Sequence, residues 1–204
     1  MERKHWNMPR AKVDWKKVGF ASSEALTMCL NTIEETTDFL EDIWEIPLKK
    51  IQIKKWERCC WARVRERLLS FSMYNIAGWI RTGYAEYATI QYLIGVQHRR
   101  GKPRKPSPLL TTDKSVVQAI VAHEYAHIVT GVKYERLFPR SHGVEFQMVF
   151  ADMLDQVFGR EFGAVERLLT KKPEQVERVF DQLRYAEQAR QDKMDAYMFF
   201  VSER

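Results

Sequence analysis

The centre of this chain reads Val116-Val-Gln-Ala-Ile-Val-Ala-His-Glu-Tyr-Ala-His127. Six of its first seven residues are apolar, which is typical of a helix buried in a protein core. His123 and His127 are four residues apart, and residues at this spacing lie on the same face of a helix. Both imidazoles can therefore reach one metal ion.

The flanking residues predict where this helix begins and ends. Asp113 is a suitable N-cap, the helix runs through Val129, and Gly131 suits the stop because glycine readily adopts a left-handed conformation. A second helix is predicted to follow, with Ser141 as its N-cap and Gly159 as its stop. Its apolar face consists of Phe146, Phe150, Met153 and Val157.

The residues His123-Glu-Tyr-Ala-His127 form an H-E-x-x-H motif. Glu124 adjoins the first histidine, where a carboxylate can hold and deprotonate a zinc-bound water. A catalytic zinc usually takes three protein ligands and one water. His142 is the main candidate for the third ligand, because three of the five histidines lie between residues 123 and 142. Glu145 is the alternative, because glutamate has this role in other zinc peptidases.

Two segments together resemble the SprT-like metallopeptidases, the family that includes Spartan. They are His123-Glu-Tyr-Ala-His127 and Ser141-His-Gly-Val-Glu-Phe146. In that family H-E-x-x-H is followed by an H-G-x-E-F or H-G-x-x-F segment, which starts the next helix and supplies the third zinc ligand. The resemblance implies a zincin-like fold that binds DNA and cleaves proteins held on DNA. Carried over residue by residue, it implies Zn²⁺ ligation by His123, His127 and His142 and catalysis by Glu124. Gly143 and Phe146 also match, which implies roles in helix entry and packing.

Further helices are predicted on both sides of the motif. Ser22 or Ser23 caps a helix that runs to about Trp44, and Lys172-Pro173 opens a last helical region. The apolar positions of the first are Leu26, Leu30, Ile33, Leu40 and Trp44, and those of the last are Val176, Val179, Phe180 and Leu183.

Strands are predicted between the first helix and the motif. Ile51-Gln-Ile53 alternates as a short strand does, and the stretches Cys60 to Tyr74 and Tyr84 to Ile94 are rich in aromatic and branched residues. We expect the strand within Tyr84–Ile94 to offer an edge for an extended substrate.

The elements together predict an α+β fold: a small antiparallel or mixed sheet, an H-E-x-x-H helix and C-terminal helices. Three parts are expected, which are a basic arm (1–20), the SprT-like domain (21–159) and a helical extension (160–204).

The net charge of +6 is unevenly distributed. Bases concentrate in residues 1–18, 49–67 and 99–105, whereas Glu24 to Glu45 holds seven acids and no base. Basic segments of this kind release counterions when they bind phosphates, so they are candidates for contact with DNA.

Composition excludes several classes of protein. The longest uncharged run, Leu68 to Ile80, is interrupted by Ser, Asn and Gly and is too short to cross a membrane. Three cysteines without a C-x-x-C pair argue against a disulfide framework or a cysteine zinc ribbon. No secretory signal is visible, so we expect an intracellular protein, cytoplasmic or associated with the nucleoid or nucleus.

The sequence thus predicts a zinc metalloendopeptidase whose substrates are proteins or peptides, and the resemblance implies that these are proteins bound to DNA. The alternative is a nucleic-acid-binding protein with a structural zinc site. A hydrolase of small or cell-wall substrates would use the same chemistry, but the expected lack of export disfavours it. Nothing in the sequence selects the residue that stabilises the oxyanion among Tyr125, Tyr134, Arg136 and Arg140.

Overall fold

A computed structural model describes residues 6–7, 13–57, 59–83, 90–96, 105–134 and 142–202 of the chain. Within these ranges, helices pack around a small mixed sheet, so the predicted α+β class is confirmed. The strands are β1 (Trp6–Asn7), β2 (Lys50–Lys54), β3 (Trp61–Arg63) and β4 (Leu68–Ser72). The helices are α1 (Trp15–Val18), α2 (Ser23–Trp44), α3 (Met73–Thr82), α4 (Asp113–Lys133), α5 (Val144–Phe158), α6 (Ala164–Lys171) and α7 (Pro173–Ser202).

The sheet has three main strands and a two-residue extension, in the order β1-β2-β4-β3. β2 pairs in parallel with both β1 and β4, and Ile51 lies opposite Leu69. β3 pairs antiparallel with β4, so β3 is the edge strand at that side of the described sheet. The strand predicted around Ile51–Ile53 is confirmed, and the stretch Cys60–Tyr74 predicted as strand contains the two strands β3 and β4.

Helix α2 packs against the central helix α4. The Ser22 hydroxyl accepts a hydrogen bond from the amide of Ala25 (3.2 Å), so Ser22 is the N-cap. Four of the apolar positions predicted for this helix are buried and Trp44 is half-buried; the buried ones are Leu26, Leu30, Ile33 and Leu40. The periodicity of the sequence therefore identified the buried face of α2 correctly.

Within the described residues, the strand prediction was wrong for Gln91–Ile94 and for Met73 and Tyr74. Residues Gln91–Ile94 form a 3-10 helix rather than a strand, and residues 84–89 lie outside the described part. Helix α3 begins at Met73, directly after β4, where a continued strand was predicted. Ser72 is its N-cap, and the Ser72 hydroxyl accepts a hydrogen bond from the amide of Asn75. Apolar residues alone did not distinguish this helix from a continued strand.

The helices after Gly159 join the same hydrophobic core. Ala164, Leu168 and Val176 are buried in it, and α6 packs on α5. Both carboxylate oxygens of Asp155, on α5, accept hydrogen bonds from amides at the start of α6. Phe180, predicted on the apolar face of α7, is 51% exposed. None of the helices in the described ranges combines the length and the hydropathy that a membrane span requires.

Candidate metal centre

Helix α4 carries the H-E-x-x-H motif through the middle of the core. It begins one residue earlier than predicted, because Thr112 is the N-cap and exchanges hydrogen bonds with Ser115 in a capping box. The predicted apolar positions of this helix are buried, and they are Val116, Val117, Ile120 and Val121. Buried residues also surround the motif on nearly every face, as expected of a central helix.

Tyr125 fixes the rotation of α4. Its ring is fully buried, and its hydroxyl donates a hydrogen bond to the carbonyl of Ile46 (2.7 Å). Tyr125 lies two residues from each motif histidine, which is about 200° around a helix. Holding Tyr125 toward Ile46 therefore turns His123 and His127 toward α5. This bond also leaves Tyr125 committed elsewhere and unsuited to the oxyanion role considered from the sequence.

The three predicted histidines meet at one point. The Nε2 atom of His123 lies 3.3 Å from that of His127 and 3.3 Å from that of His142. One ligand atom from each of the three lies within 4.8 Å of the others. His142 sits in a turn just before α5, rather than in the first turn of that helix as predicted, and Ser141 lies outside the described part.

The spacing of these nitrogens fits a metal ion. Zinc–imidazole bonds are about 2.0–2.1 Å long, so two nitrogens at neighbouring corners of a zinc tetrahedron are about 3.3–3.4 Å apart. The two short nitrogen–nitrogen distances match this value. A proton on the Nε2 atom of His123 can bridge to only one neighbour at a time, whereas a cation satisfies all three lone pairs. Imidazole nitrogens are common ligands of Zn²⁺, so this set of donors fits a zinc ion.

Burial keeps these imidazoles in the form that binds metals. It lowers the pKa of His127 to about 3, with a further contribution from nearby His142. Burial also lowers the pKa of His142, and with the neighbouring histidines it lowers the pKa of His123 well below its usual range. Only the neutral ring has a lone pair for a metal, so the site is prepared for a cation at neutral pH.

Phe146 holds the three rings together. It is fully buried, and its ring centroid lies 4.4 Å from that of His127, 4.9 Å from that of His142 and 5.3 Å from that of His123. Phe150 lies one turn further along α5, with its ring 5.4 Å from His123. The two phenylalanines form an apolar wall that restricts the motion of the imidazoles and excludes water from their α5 side.

Two buried glutamates lie near the cluster. Glu124, the predicted catalytic residue, is 7% exposed, and its charge acts on the buried thiol of Cys60, just before β3. Burial and then this charge raise the pKa of Cys60 well above its usual range. The start of β3 therefore lies near the carboxylate of Glu124.

Glu145, the alternative third ligand, is 5% exposed and bends back toward Gly143. A Cβ atom at Gly143 would overlap the carboxylate of Glu145 in its present position, so the glycine at the N-cap of α5 leaves room for this carboxylate. Among the described residues, the group that can share one metal ion contains His142 and not Glu145. The choice of His142 over Glu145 thus agrees with the geometry.

Other residues considered from the sequence contribute less. Tyr134 lies two helical turns beyond His127, where burial and then the charge of Asp152 raise its pKa. Arg136 and Arg140 lie outside the described residues, as do His5 and His98. Of the four residues considered for the oxyanion, the structure therefore describes only Tyr125 and Tyr134.

Two residues near the cluster were missed by the sequence analysis. Gln147 donates a hydrogen bond to the carbonyl of His142, and Tyr92 donates one to Gln147. No periodic pattern marks a buried glutamine, and Tyr92 is 50 residues before His142 in the chain. The only available signal was the position of Gln147 in the first turns of the helix that follows His142.

Comparisons with protein-family models, with curated proteins and with solved structures found no match to this chain. Function is therefore inferred from the geometry of the site. That geometry establishes a group of three histidines able to bind one metal ion.

Proposed function

We propose that this chain is a zinc metallopeptidase with a zincin-like, SprT-like active site. The observation that carries the proposal is the convergence of three imidazole nitrogens at zinc-ligand spacing, with a buried glutamate beside the first ligand. His123, His127 and His142 would hold the ion. When bound, Zn²⁺ supplies Lewis acidity that polarises a carbonyl and favours deprotonation of water near neutral pH.

Glu124 is the general base of the proposed reaction. Its carboxylate accepts a proton from the attacking water and returns that proton to the leaving amine, which restores the enzyme at the end of the cycle. Glu124 adjoins His123 in the chain, and its side chain is 7% exposed, so the carboxylate is largely shielded from bulk water. The wall formed by Phe146 and Phe150 keeps solvent from the other side of the ligands.

The proposed substrate edge is β3, in place of the strand expected within Tyr84–Ile94. β3 lies at one end of the described strand order, packs against α4 and begins next to Cys60, which is close to Glu124. An extended peptide that adds to this edge gains backbone hydrogen bonds irrespective of its side chains. We therefore expect broad sequence preference and a requirement for unfolded substrate.

The substitution Glu124→Gln tests this proposal. It removes the base but no zinc ligand, so we expect unchanged zinc content and a loss of proteolysis of at least 100-fold, the lower range for general-base catalysis. Cleavage of casein, and of a DNA-binding protein with and without DNA, is followed by gel electrophoresis. Glu34→Gln is the matched control, because it removes a buried carboxylate of α2 outside the histidine cluster and should leave cleavage intact. Equal cleavage by Glu124→Gln and the wild type would refute the assignment.

A second candidate function, nucleic-acid binding, is favoured by a groove on the sheet. The groove has a volume of about 530 Å³, and its basic lining residues are Lys49, Lys50, Lys54 and Arg63. Arg63 pairs with Glu66 (3.1 Å). Within the described ranges, no ion pair involves Lys49, Lys50 or Lys54. These three charges are available for phosphates.

An exposed aromatic pair includes Trp56, which lies between the groove residues Lys54 and Glu57 in the chain. Trp56 is 56% exposed and Tyr74 is 45% exposed, and their ring centroids are 4.6 Å apart. Bases of a single strand stack on such rings, which adds a contact that does not depend on charge. The groove thus supports part of the predicted basic segment 49–67 as a DNA contact. Of the other two predicted segments, 1–18 and 99–105, residues 1–5, 8–12 and 99–104 lie outside the described residues.

Neutralising the groove tests this second function. Replacing Lys49, Lys50 and Lys54 with Gln should weaken binding of a single-stranded oligonucleotide and lower the slope of log affinity against log salt by about 2, or about 0.7 per lost phosphate contact. Fluorescence anisotropy across a salt series measures both effects. The control replaces three exposed arginines of other elements, Arg160, Arg178 and Arg184, with Gln. An equal slope in both triple variants would exclude the groove as a nucleic-acid contact.

A further inference from the structure

We propose that Gln147 and Tyr92 are positioning residues that fix the backbone of His142 and thereby set the affinity of the metal centre. The inference rests on the proposed function, since it takes the three histidines as zinc ligands. It assigns roles to two side chains that no motif marks.

The three groups form a continuous chain of hydrogen bonds. The Nε2 atom of Gln147 donates to the carbonyl oxygen of His142 (2.9 Å), and the Tyr92 hydroxyl donates to the Oε1 atom of Gln147 (2.7 Å). A carbonyl oxygen only accepts hydrogen bonds, so the amide nitrogen of Gln147 has to face His142 and its oxygen has to face Tyr92. Gln147 is 1% exposed, and a buried hydrogen bond of this kind is costly to break.

His142 needs such support more than the other two ligands do. His123 and His127 lie inside α4, where 21 residues of helix fix the backbone. His142 precedes the N-cap of α5, so its carbonyl lies outside the repeating hydrogen bonds of that helix. Gln147 supplies the missing restraint from the second turn of α5. A shift of His142 changes the separation of the ligand nitrogens directly, because its side chain follows its backbone.

Tyr92 is itself anchored from the opposite side. It lies in the 3-10 helix Gln91–Ile94, whose Leu93 carbonyl accepts a hydrogen bond from Arg167 of α6 (2.7 Å). The ammonium group of Lys171 lies 4.8 Å from the centre of the Tyr92 ring. Burial raises the pKa of Tyr92, so its hydroxyl keeps the proton that it donates. The contacts of Tyr92 with α6 therefore also help to fix Gln147 and, through it, the backbone of His142.

Zinc affinity measured by chelator competition tests the inference without any assay of activity. Gln147→Leu removes both hydrogen bonds and should weaken zinc binding about 10–100-fold, as is usual for residues that orient metal ligands. Gln147→Glu keeps an acceptor for Tyr92 but cannot donate to His142, so we expect a loss of the same order. Tyr92→Phe removes one hydrogen bond and should cost about threefold to tenfold.

A double-mutant cycle and a matched control separate positioning from general stability. Tyr92→Phe should have no further effect on zinc affinity in the Gln147→Leu background, because the bond that it breaks is already absent. The visible spectrum of the Co²⁺-substituted protein should change in the Gln147 variants, since it reports ligand geometry. Gln156→Leu is the control: Gln156 also lies on α5 and hydrogen-bonds to Trp44 and Asp152, away from the histidines.

The possible failures are distinguishable. If the wild type binds zinc, and Gln147→Leu, Gln147→Glu and Gln156→Leu bind it with the same affinity as the wild type, the positioning role is overturned. The proposed function would then remain intact. Absence of zinc binding in the wild type would overturn both. If Gln147→Leu does not fold, Tyr92→Phe and Gln147→Glu decide, because both retain the volume of the original side chain; unchanged affinity in these two would overturn the inference.

Discussion

At the scale of single residues, Phe146 joins the histidine cluster to the hydrophobic core. It contacts all three imidazoles and stacks near Phe150, with the two ring centroids 5.8 Å apart. A residue in this position contributes both to the core and to the orientation of the ligands. Its two contributions can be separated by substitution.

Phe146→Ala should lower the free energy of unfolding by about 3–5 kcal/mol and also weaken zinc binding, because it leaves a cavity beside three ligands. Urea unfolding of the metal-free protein measures the first effect and chelator competition the second. Phe71→Ala is the control, because Phe71 is equally buried but lies on β4. It should cost similar stability and leave zinc affinity unchanged. Equal zinc affinity in both variants would show that Phe146 contributes only to packing.

The sequence predicted the three histidines of the cluster but not Gln147 and Tyr92, which hydrogen-bond to His142 and to each other. His123 and His127 follow from helical spacing, and His142 from the concentration of three of the five histidines between residues 123 and 142. Gly143 was matched as a helix entry, and the structure places it at the N-cap of α5, close to the carboxylate of Glu145. Gln147 and Tyr92 could not be predicted, since their pairing depends on how the 3-10 helix at Gln91–Ile94 packs, and that information is not local in the sequence.

At the scale of elements, Gly131 shows how packing overrides a local signal. It was predicted to stop α4, but the helix continues to Lys133. Val64, in the β3–β4 turn, packs so close that a Cβ atom at Gly131 would overlap its side chain, so a close approach rather than a helix stop accounts for this glycine. This glycine therefore allows the hairpin to approach the helix that carries the motif. Gly78, inside α3, has no such neighbour within 4 Å.

The two glycines should respond oppositely to alanine. Gly131→Ala gains helix propensity but forces Val64 aside, so we expect it to lower the free energy of unfolding by about 1–2 kcal/mol. Gly78→Ala should raise it by about 0.5–1 kcal/mol, because only the propensity changes. Chemical denaturation of both variants gives the comparison, and Val64→Ala should relieve part of the Gly131→Ala defect. Stabilisation by both substitutions would contradict the close packing of β3–β4 on α4.

Elements with strong periodicity were predictable, and those set by tertiary contacts were not. The long helices α2, α4 and α5 were expected at nearly their observed bounds. The segment Tyr84–Ile94 was expected as a strand because its residues favour sheets, yet Gln91–Ile94 forms a 3-10 helix in the structure. Its residues pack beside α6, and neither the packing nor the anchor from Arg167 is visible in the composition of the segment.

At the scale of the whole molecule, the histidine cluster joins separate elements of the chain. His123 and His127 come from α4 and His142 from the turn before α5, and α2, α5 and β3 all pack on α4. A ligand that binds only this folded arrangement stabilises it, by about 2.7 kcal/mol when free zinc is at 100 times its dissociation constant. Zinc is thus expected to stabilise the chain as a whole, and chelators to remove that stability.

The central claim is that His123, His127 and His142 form one zinc site, and elemental analysis of the purified protein tests it most directly. We predict about one zinc per chain in the wild type. His142→Ala should lose most of this zinc, whereas Glu145→Gln, which changes the alternative ligand, should retain it. A wild type that contains no zinc after metal is supplied, or a His142→Ala variant that keeps a full complement, would contradict the account.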